Sequence, residues 1–135
     1  MGPPGPAASP GPGEEVFKNS SLTGTANLTA AGTAVALLTN LPAGNYLLMA
    51  KVTIGANAGS QDFCTLLVGG TVIDYSYATA NISVGIIWET AKLLGTVSLP
   101  TSTNTISVTC SNSTGSGMAQ YPVLTALKVG SVTTQ

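Results

Sequence analysis

The sequence lacks the residues on which most enzyme chemistry depends. None of its 135 residues is histidine or arginine, and charged side chains make up 7% of the chain. Without histidine, neither a Ser-His-Asp nor a Cys-His arrangement can form, and zinc would have only two cysteines and scattered carboxylates as ligands. The glycine-containing segment 115–117 lacks the lysine and the following helix of a phosphate-binding loop. We therefore expect no enzyme activity and no cofactor.

The scarcity of charge also limits the partners. Four lysines and five carboxylates give a net charge of -1, which leaves no basic face for a phosphate backbone, so we expect no nucleic-acid binding. The longest uninterrupted apolar runs, 34–38 and 47–50, are far shorter than the roughly 18 to 20 residues of a membrane-spanning helix, and we expect no membrane insertion. Although charge is scarce, 44% of the chain is hydrophobic. Burial of apolar surface between subunits explains this composition better than membrane insertion does.

Residues 1–15 form a leader rich in glycine and proline. Glycine occupies every third position from Gly2 to Gly11, except at Ala8. A collagen triple helix requires this spacing because no other residue fits at its axis, and proline presets the extended conformation. The leader is therefore interpreted either as the end of a collagen-like stalk or as a flexible linker. A three-stranded stalk would make residues 16–135, about one domain in length, the head of a trimer.

The first residues contain no basic segment followed by an apolar stretch, so we expect no secretory signal peptide within this sequence. That pattern is compatible with a fragment of a longer secreted protein, and also with a virion component made in a cytoplasm. The expected location is extracellular, on a cell surface or in a virion.

Alternating apolar residues predict an all-β fold. From Tyr46 to Ile54 every second residue is apolar, which is the period of a strand with one buried face. Leu47 and Met49 add apolar side chains to the opposite face, so we expect either a second sheet and a loop or a neighbouring subunit to cover them, and the two residues are candidates for a trimer interface. Further strands are predicted at residues 33–38, 63–68, 71–77, 82–91, 95–99, 105–110 and 121–129, with turns between them, one of which spans 55–60. Short strands at this spacing are typical of an antiparallel sandwich or jelly roll.

Cys64 and Cys110 each lie on a predicted strand in which the alternate residues, on the same face as the cysteine, are apolar. Both cysteine side chains should therefore point into the sandwich. In an oxidising compartment, a disulfide between them would close a loop of about 46 residues and stabilise the fold by about 4 kcal/mol. The alternative is a pair of buried free thiols that act as small hydrophobic side chains. Parity is compatible with pairing but does not show that the two residues are adjacent.

Several local motifs together resemble a known family. The segment Leu-Pro-Ala-Gly-Asn-Tyr at 41–46 leads into a long strand, a strand pair surrounds Gly69 and Gly70, a threonine-rich strand ends at Cys110, and the last strand contains Leu-x-Ala-x-Lys-Val. Over residues 16–132 this order resembles the globular head of complement component one, subcomponent q. It is similar also to the tumour-necrosis-factor jelly roll and to the heads of bacterial and phage collagen-like proteins. The resemblance implies an antiparallel jelly-roll sandwich that forms a homotrimer.

These observations predict a non-enzymatic head that trimerises at the end of a collagen-like stalk and recognises a surface, as an adhesin or a structural surface protein. The alternative is a phage tail-fibre or capsid decoration domain that binds a receptor on a bacterium. A cell-surface glycan or protein is the expected receptor. Because strand faces are needed for the core and the trimer contact, polar loops remain for recognition. Their candidate contact residues are Ser60, Asp62, Asn81, Asn112 and Ser116.

Two further groups of residues have open interpretations. Asp62 and Asp74 flank a predicted strand pair and are considered as calcium ligands, with solvated surface acids as the alternative, since a calcium site needs several carboxylates together. Trp88, Tyr75 and Tyr77 are interpreted as core or interface aromatics, with a carbohydrate- or protein-binding patch as the alternative.

Overall fold

The structure, a computed structural model, describes residue 2 and residues 15–20 and 25–135. The predicted leader at 1–15 lies outside the described residues apart from its positions 2 and 15. In the described part the strands are β1 Val16–Ser20, β2 Thr25–Leu28, β3 Thr33–Thr39, β4 Gly44–Asn57, β5 Gln61–Val68, β6 Thr71–Thr79, β7 Ile86–Leu99, β8 Thr105–Asn112 and β9 Gly117–Val129. None of these described residues forms a helix that could cross a membrane.

The strands form two antiparallel sheets, which confirms the all-β prediction. Sheet A has the order β1-β9-β4-β7, and β2 pairs with the first part of β9. Sheet B has the order β3-β8-β5-β6. Along the chain, the pair β5–β6 is enclosed by β4–β7, which is enclosed by β3–β8 and then by β1–β9.

The core lies between the two sheets, as in a β-sandwich. On β4, the inward side chains of Tyr46, Leu48, Ala50, Val52 and Ile54 are each at most 8% exposed. The sheet B residues in the same core cluster include Ala36, Cys64, Leu66, Ala78, Ile106, Val108 and Cys110. Burying a large aliphatic side chain contributes about 1.5 to 3 kcal/mol, so the alternation in β4 both predicts the strand and supplies much of its stabilisation.

The strands are longer than predicted at several ends, most of all β9, which begins at Gly117 rather than 121, and three larger differences concern whole elements. The predicted strands 82–91 and 95–99 are one strand, β7, because it pairs without interruption with the whole of β4. The turn predicted at 55–60 is confined to residues near 58–60, since Gly55 and Ala56 still belong to β4. The short strands β1 and β2 were not predicted, because each contains too few residues to show a period.

Candidate functional site

The outer face of sheet A is apolar where the sequence predicted a subunit contact. Leu47 and Met49 alternate with the core residues of β4 and therefore face away from the core. Met49 is 40% exposed, and Leu94, its cross-strand partner on β7, is 60% exposed. Leu47 is half-buried and lies opposite Leu127 of β9. The two residues predicted for the interface thus lie on one surface of the structure. Leu94, which was not predicted, lies on the same surface.

A groove of about 510 Å³ crosses this face where β9, β4 and β7 lie side by side. Its outward-facing lining residues are Met49, Lys51, Lys92, Leu94, Val123 and Thr125. Apolar side chains grouped in this way on a surface mark an interaction site more often than single exposed ones do. We refer to this feature as the groove of sheet A.

Lysines concentrate on the same face. Lys51 and Lys92 line the groove and are direct cross-strand partners, a placement in which like charges repel. Lys18 of β1 is exposed and pairs with Thr125 at the other side of the groove. Three of the four lysines in the chain therefore lie on one face, and a partner surface placed over them must not carry the same charge.

Three of the predicted recognition residues form a buried polar cluster instead. Ser60, Asp62 and Asn112 are each at most 2% exposed. The Asn112 side-chain amide donates hydrogen bonds to Asp62 Oδ1 at 2.7 Å and to Ser60 Oγ at 2.9 Å. Its Oδ1 accepts from the backbone N–H groups of Thr114 at 2.9 Å and Ser116 at 3.2 Å. The cluster holds the turn after β8 against β5, and the recognition role predicted for its three members does not fit their burial.

Asp62 is held in a poorly solvated position. Its Oδ2 atom is buried and has no hydrogen-bond partner among the described residues. Desolvation by burial raises the pKa of this carboxyl group above its ordinary value, and the hydrogen bond from Asn112 opposes that shift. The interpretation of Asp62 as a solvated surface acid is therefore wrong.

Asp62 and Asp74 do not share a site. On β6, Ala78 lies opposite Asp62, whereas Asp74 is four positions earlier and lies opposite Leu66. The Asp74 carboxylate accepts hydrogen bonds from the backbone N–H groups of Tyr75 and Leu94. Within the described ranges, no group of three or more His, Cys, Asp or Glu side chains is placed to hold a metal ion.

Asn81 and Ser116, the other two predicted recognition residues, are exposed near the same end of the sandwich. Backbone hydrogen bonds join the turn near 58–60 to the segment before β7, from Ala58 N to Gly85 O at 2.9 Å and from Gly59 N to Ala80 O at 3.0 Å. The Asn57 side-chain amide donates to Ser116 O in the turn before β9. The predicted loop segments thus meet, although only part of their polar side chains reaches the surface.

Cys64 and Cys110 occupy directly opposite positions on β5 and β8. Their Cα atoms are 4.1 Å apart, and a disulfide joins them. Both residues are fully buried in the core cluster. The pairing of β5 with β8 brings the two cysteines next to each other, which the alternation in the sequence alone could not show. The bond links these two neighbouring strands of sheet B.

The three aromatic residues considered in the sequence occupy different sheets. The Trp88 ring covers Gly55 on the outer face of sheet A, so closely that a Cβ at Gly55 would lie 2.9 Å from Cζ3 of the ring. Tyr75 and Tyr77 lie on β6 and are each 58% exposed. Phe63 of β5 stands beside them and was missed, although its position next to inward-facing Cys64 assigns it to the outer face.

Comparison with known proteins identifies no family for this chain. No protein-family model matches it, and no curated protein matches it significantly.

Proposed function

We propose that this chain is a non-enzymatic jelly-roll head that forms a homotrimer at the end of a collagen-like stalk and recognises a receptor outside the cell or on a virion. The groove of sheet A is the observation that carries the proposal. It leaves Met49 and Leu94 exposed on a chain that has little charge to keep an isolated subunit soluble. Covering apolar surface contributes about 25 cal/mol per Å², so a second copy packed there would stabilise both chains.

The nested strand pairs support the jelly roll. In that fold, eight strands form two four-stranded sheets, as though one long hairpin had been rolled up. Here β5–β6 is the innermost pair, followed by β4–β7, β3–β8 and β1–β9. The same order supports the resemblance to the heads of the complement and tumour-necrosis-factor families.

The lysines of sheet A favour a three-fold arrangement over a two-fold one. A two-fold contact brings the same patch of two chains together, which would place the face with Lys51 and Lys92 against the lysine-bearing face of the other chain. In a cyclic trimer, each patch meets a different surface of the next chain, so this repulsion is avoided. The Gly-Pro leader points to the same number, because a collagen helix contains three strands.

Light scattering of the purified chain at micromolar concentration tests the proposal. The parent should have the mass of three chains. Met49→Lys should shift the mass toward one chain, because it places an additional charge against the apolar groove. Val84→Lys is the matched control, since it introduces the same charge at a residue that is 85% exposed and lies outside the groove.

A parent protein that is monomeric or dimeric contradicts the trimer. So does a Met49→Lys variant that keeps the trimer mass, because the groove would then not be the contact. If the Val84→Lys variant dissociates equally, added charge disrupts the trimer wherever it is placed. That result would contradict the assignment of the groove as the subunit contact.

A further inference from the structure

Sheet B presents a second surface with a different composition. Phe63 of β5 and Tyr75 and Tyr77 of β6 lie on its outer face and are 37%, 58% and 58% exposed. Phe63 is directly opposite Tyr77, and its ring stacks on that of Tyr75 with centroids 5.5 Å apart and planes inclined by 20°. We call these three residues the aromatic platform. With aromatic side chains burying 150 to 250 Å² each when fully covered, the platform exposes roughly 300 Å².

Small hydroxyl side chains border the platform. Thr65 lies between Tyr75 on one side and Thr109 on the other. Ser111 of β8 is the neighbour of Phe63. Thr109 and Ser111 are partly exposed, so their hydroxyl groups are placed to donate and accept hydrogen bonds at the surface. The platform thus has hydrogen-bonding groups along its β8 side.

The outer face of sheet B carries no charged side chain in any of its four fully described strands. Those strands contain two acids, Asp62 and Asp74. Asp62 is fully buried, and the Asp74 carboxylate is engaged by two backbone N–H groups. An ionic ligand would find no opposite charge here, in contrast to the lysine-bearing face of sheet A.

We propose that the aromatic platform binds an uncharged polysaccharide. The C–H groups on one side of a sugar ring carry partial positive charge and pack against the electron-rich face of an aromatic ring. The sugar hydroxyls exchange hydrogen bonds with Thr109 and Ser111, and no charge is needed on either side. The inference rests on the proposed surface-recognition function and supplies its ligand class, while moving the contact from the loops to a strand face.

A polysaccharide fits this face better than a protein partner does. Protein interfaces place anchoring residues in a well-packed, desolvated centre and are enriched in methionine and arginine as well as aromatics. Around the platform, the flanking positions on β5 and β8 are Thr65, Thr109 and Ser111 instead. Tyrosine and phenylalanine also lose little conformational freedom when they are covered, which suits stacking against a repeating chain.

Affinity electrophoresis in gels that contain dextran, mannan, galactan or mixed-linkage β-glucan tests the proposal, with alginate as an anionic comparison. At least one neutral polysaccharide should retard the parent protein, and alginate should not. Tyr75→Ala and Tyr77→Ala should each weaken the apparent affinity about tenfold or more, whereas Tyr75→Phe should retain it. Tyr121→Ala is the matched control, because it removes a tyrosine of 49% exposure from sheet A.

Failure of all four neutral polysaccharides to retard the protein overturns the proposal. Full binding by both alanine variants, or an equal loss in Tyr121→Ala, overturns it as well. Thermal unfolding checks each variant, and if loss of the Phe63 stack unfolds Tyr75→Ala, then Tyr77→Ala decides. Capture of a protein receptor that Tyr77→Ala abolishes, without polysaccharide binding, would assign the platform to a protein instead.

Light scattering on the same samples separates this proposal from the proposed function. A trimer that binds none of the neutral polysaccharides contradicts the ligand class alone. A monomer that binds one through Tyr75 and Tyr77 contradicts the trimeric head and leaves the platform assignment in place.

Discussion

Breaking the bond between Cys64 and Cys110 should destabilise the domain by several kcal/mol. The two residues are separated by 46 positions, and in the chain-entropy model a loop of that length restricts the unfolded chain by about 4 kcal/mol at 25 °C. For a domain of this size, each kcal/mol corresponds to roughly 3 to 5 °C in the unfolding midpoint. Reduction should therefore lower the midpoint by about 12 to 20 °C.

The buried position of the bond determines the choice of reference protein. Both cysteines are fully buried, so replacing them with alanine removes sulfur atoms from the core and adds a packing loss to the loss of the cross-link. The reduced parent keeps those atoms and isolates the effect of the cross-link more closely. We expect the order of stability to be oxidised parent, reduced parent, and then the Cys64→Ala, Cys110→Ala double variant.

Differential scanning calorimetry with and without reductant measures the difference, at one protein concentration because subunit association also shifts the midpoint. Intact-mass measurement should show the oxidised chain about two mass units below the dithiol form. Quantitative labelling of both thiols in unfolded, unreduced protein would rule out the bond. Equal midpoints for verified oxidised and reduced samples would refute the argument that the loop constraint stabilises the fold.

Two further predictions concern residues that face the core. Since burial raises the pKa of Asp62 above 3.8, its stabilising contribution is present below that pH and is lost as the pH rises through the native pKa; Asp62→Asn should therefore gain stability relative to the parent as the pH rises from about 3 to about 7. Denaturant unfolding across that range measures the unfolding free energy of the variant minus that of the parent, and a difference that falls toward neutral pH contradicts the sign. Gly95→Val should destabilise the fold by about 1 to 3 kcal/mol, because a Cβ at Gly95 would collide with Ile73 Cγ2. Thr96→Val, at the exposed neighbouring position, should unfold at nearly the parent denaturant concentration, and an equal loss in both variants would exclude the collision as the cause.

Sequence periodicity was sufficient for β4 because one of its faces is buried in the core and the other is partly exposed. Tyr46 and Leu48 face the core, while Leu47 and Met49 face outward, so both halves of the pattern could be predicted before the strand order was known. The cysteines were only partly predictable, since parity places them in the core but does not bring β5 next to β8. That step depends on non-local pairing between Cys64 and Cys110, which no local pattern determines.

The polar cluster could not be predicted from composition. Ser60, Asp62 and Asn112 lie in segments rich in serine, glycine and asparagine, which are typical of exposed turns. They are buried because β8 extends to Asn112, which pairs with Asp62. The hydrogen bonds within the cluster compensate for much of the cost of removing these polar groups from water. Where most polar atoms of a segment are hydrogen-bonded to one another, a polar segment in the sequence does not identify a surface loop.

The two outer faces divide the proposed tasks without competing for residues. Sheet A provides the groove with Met49 and the lysines, and sheet B provides the aromatic platform of Phe63, Tyr75 and Tyr77. If the proposed trimer joins the groove to a surface of the next chain other than the outer face of sheet B, that face stays free and the platform is repeated three times around the assembly. Individually weak contacts then act through a high effective concentration. Under the proposed function, this division would let a chain without histidine or arginine recognise a surface, since neither charge steering nor a deep pocket is required of any single subunit.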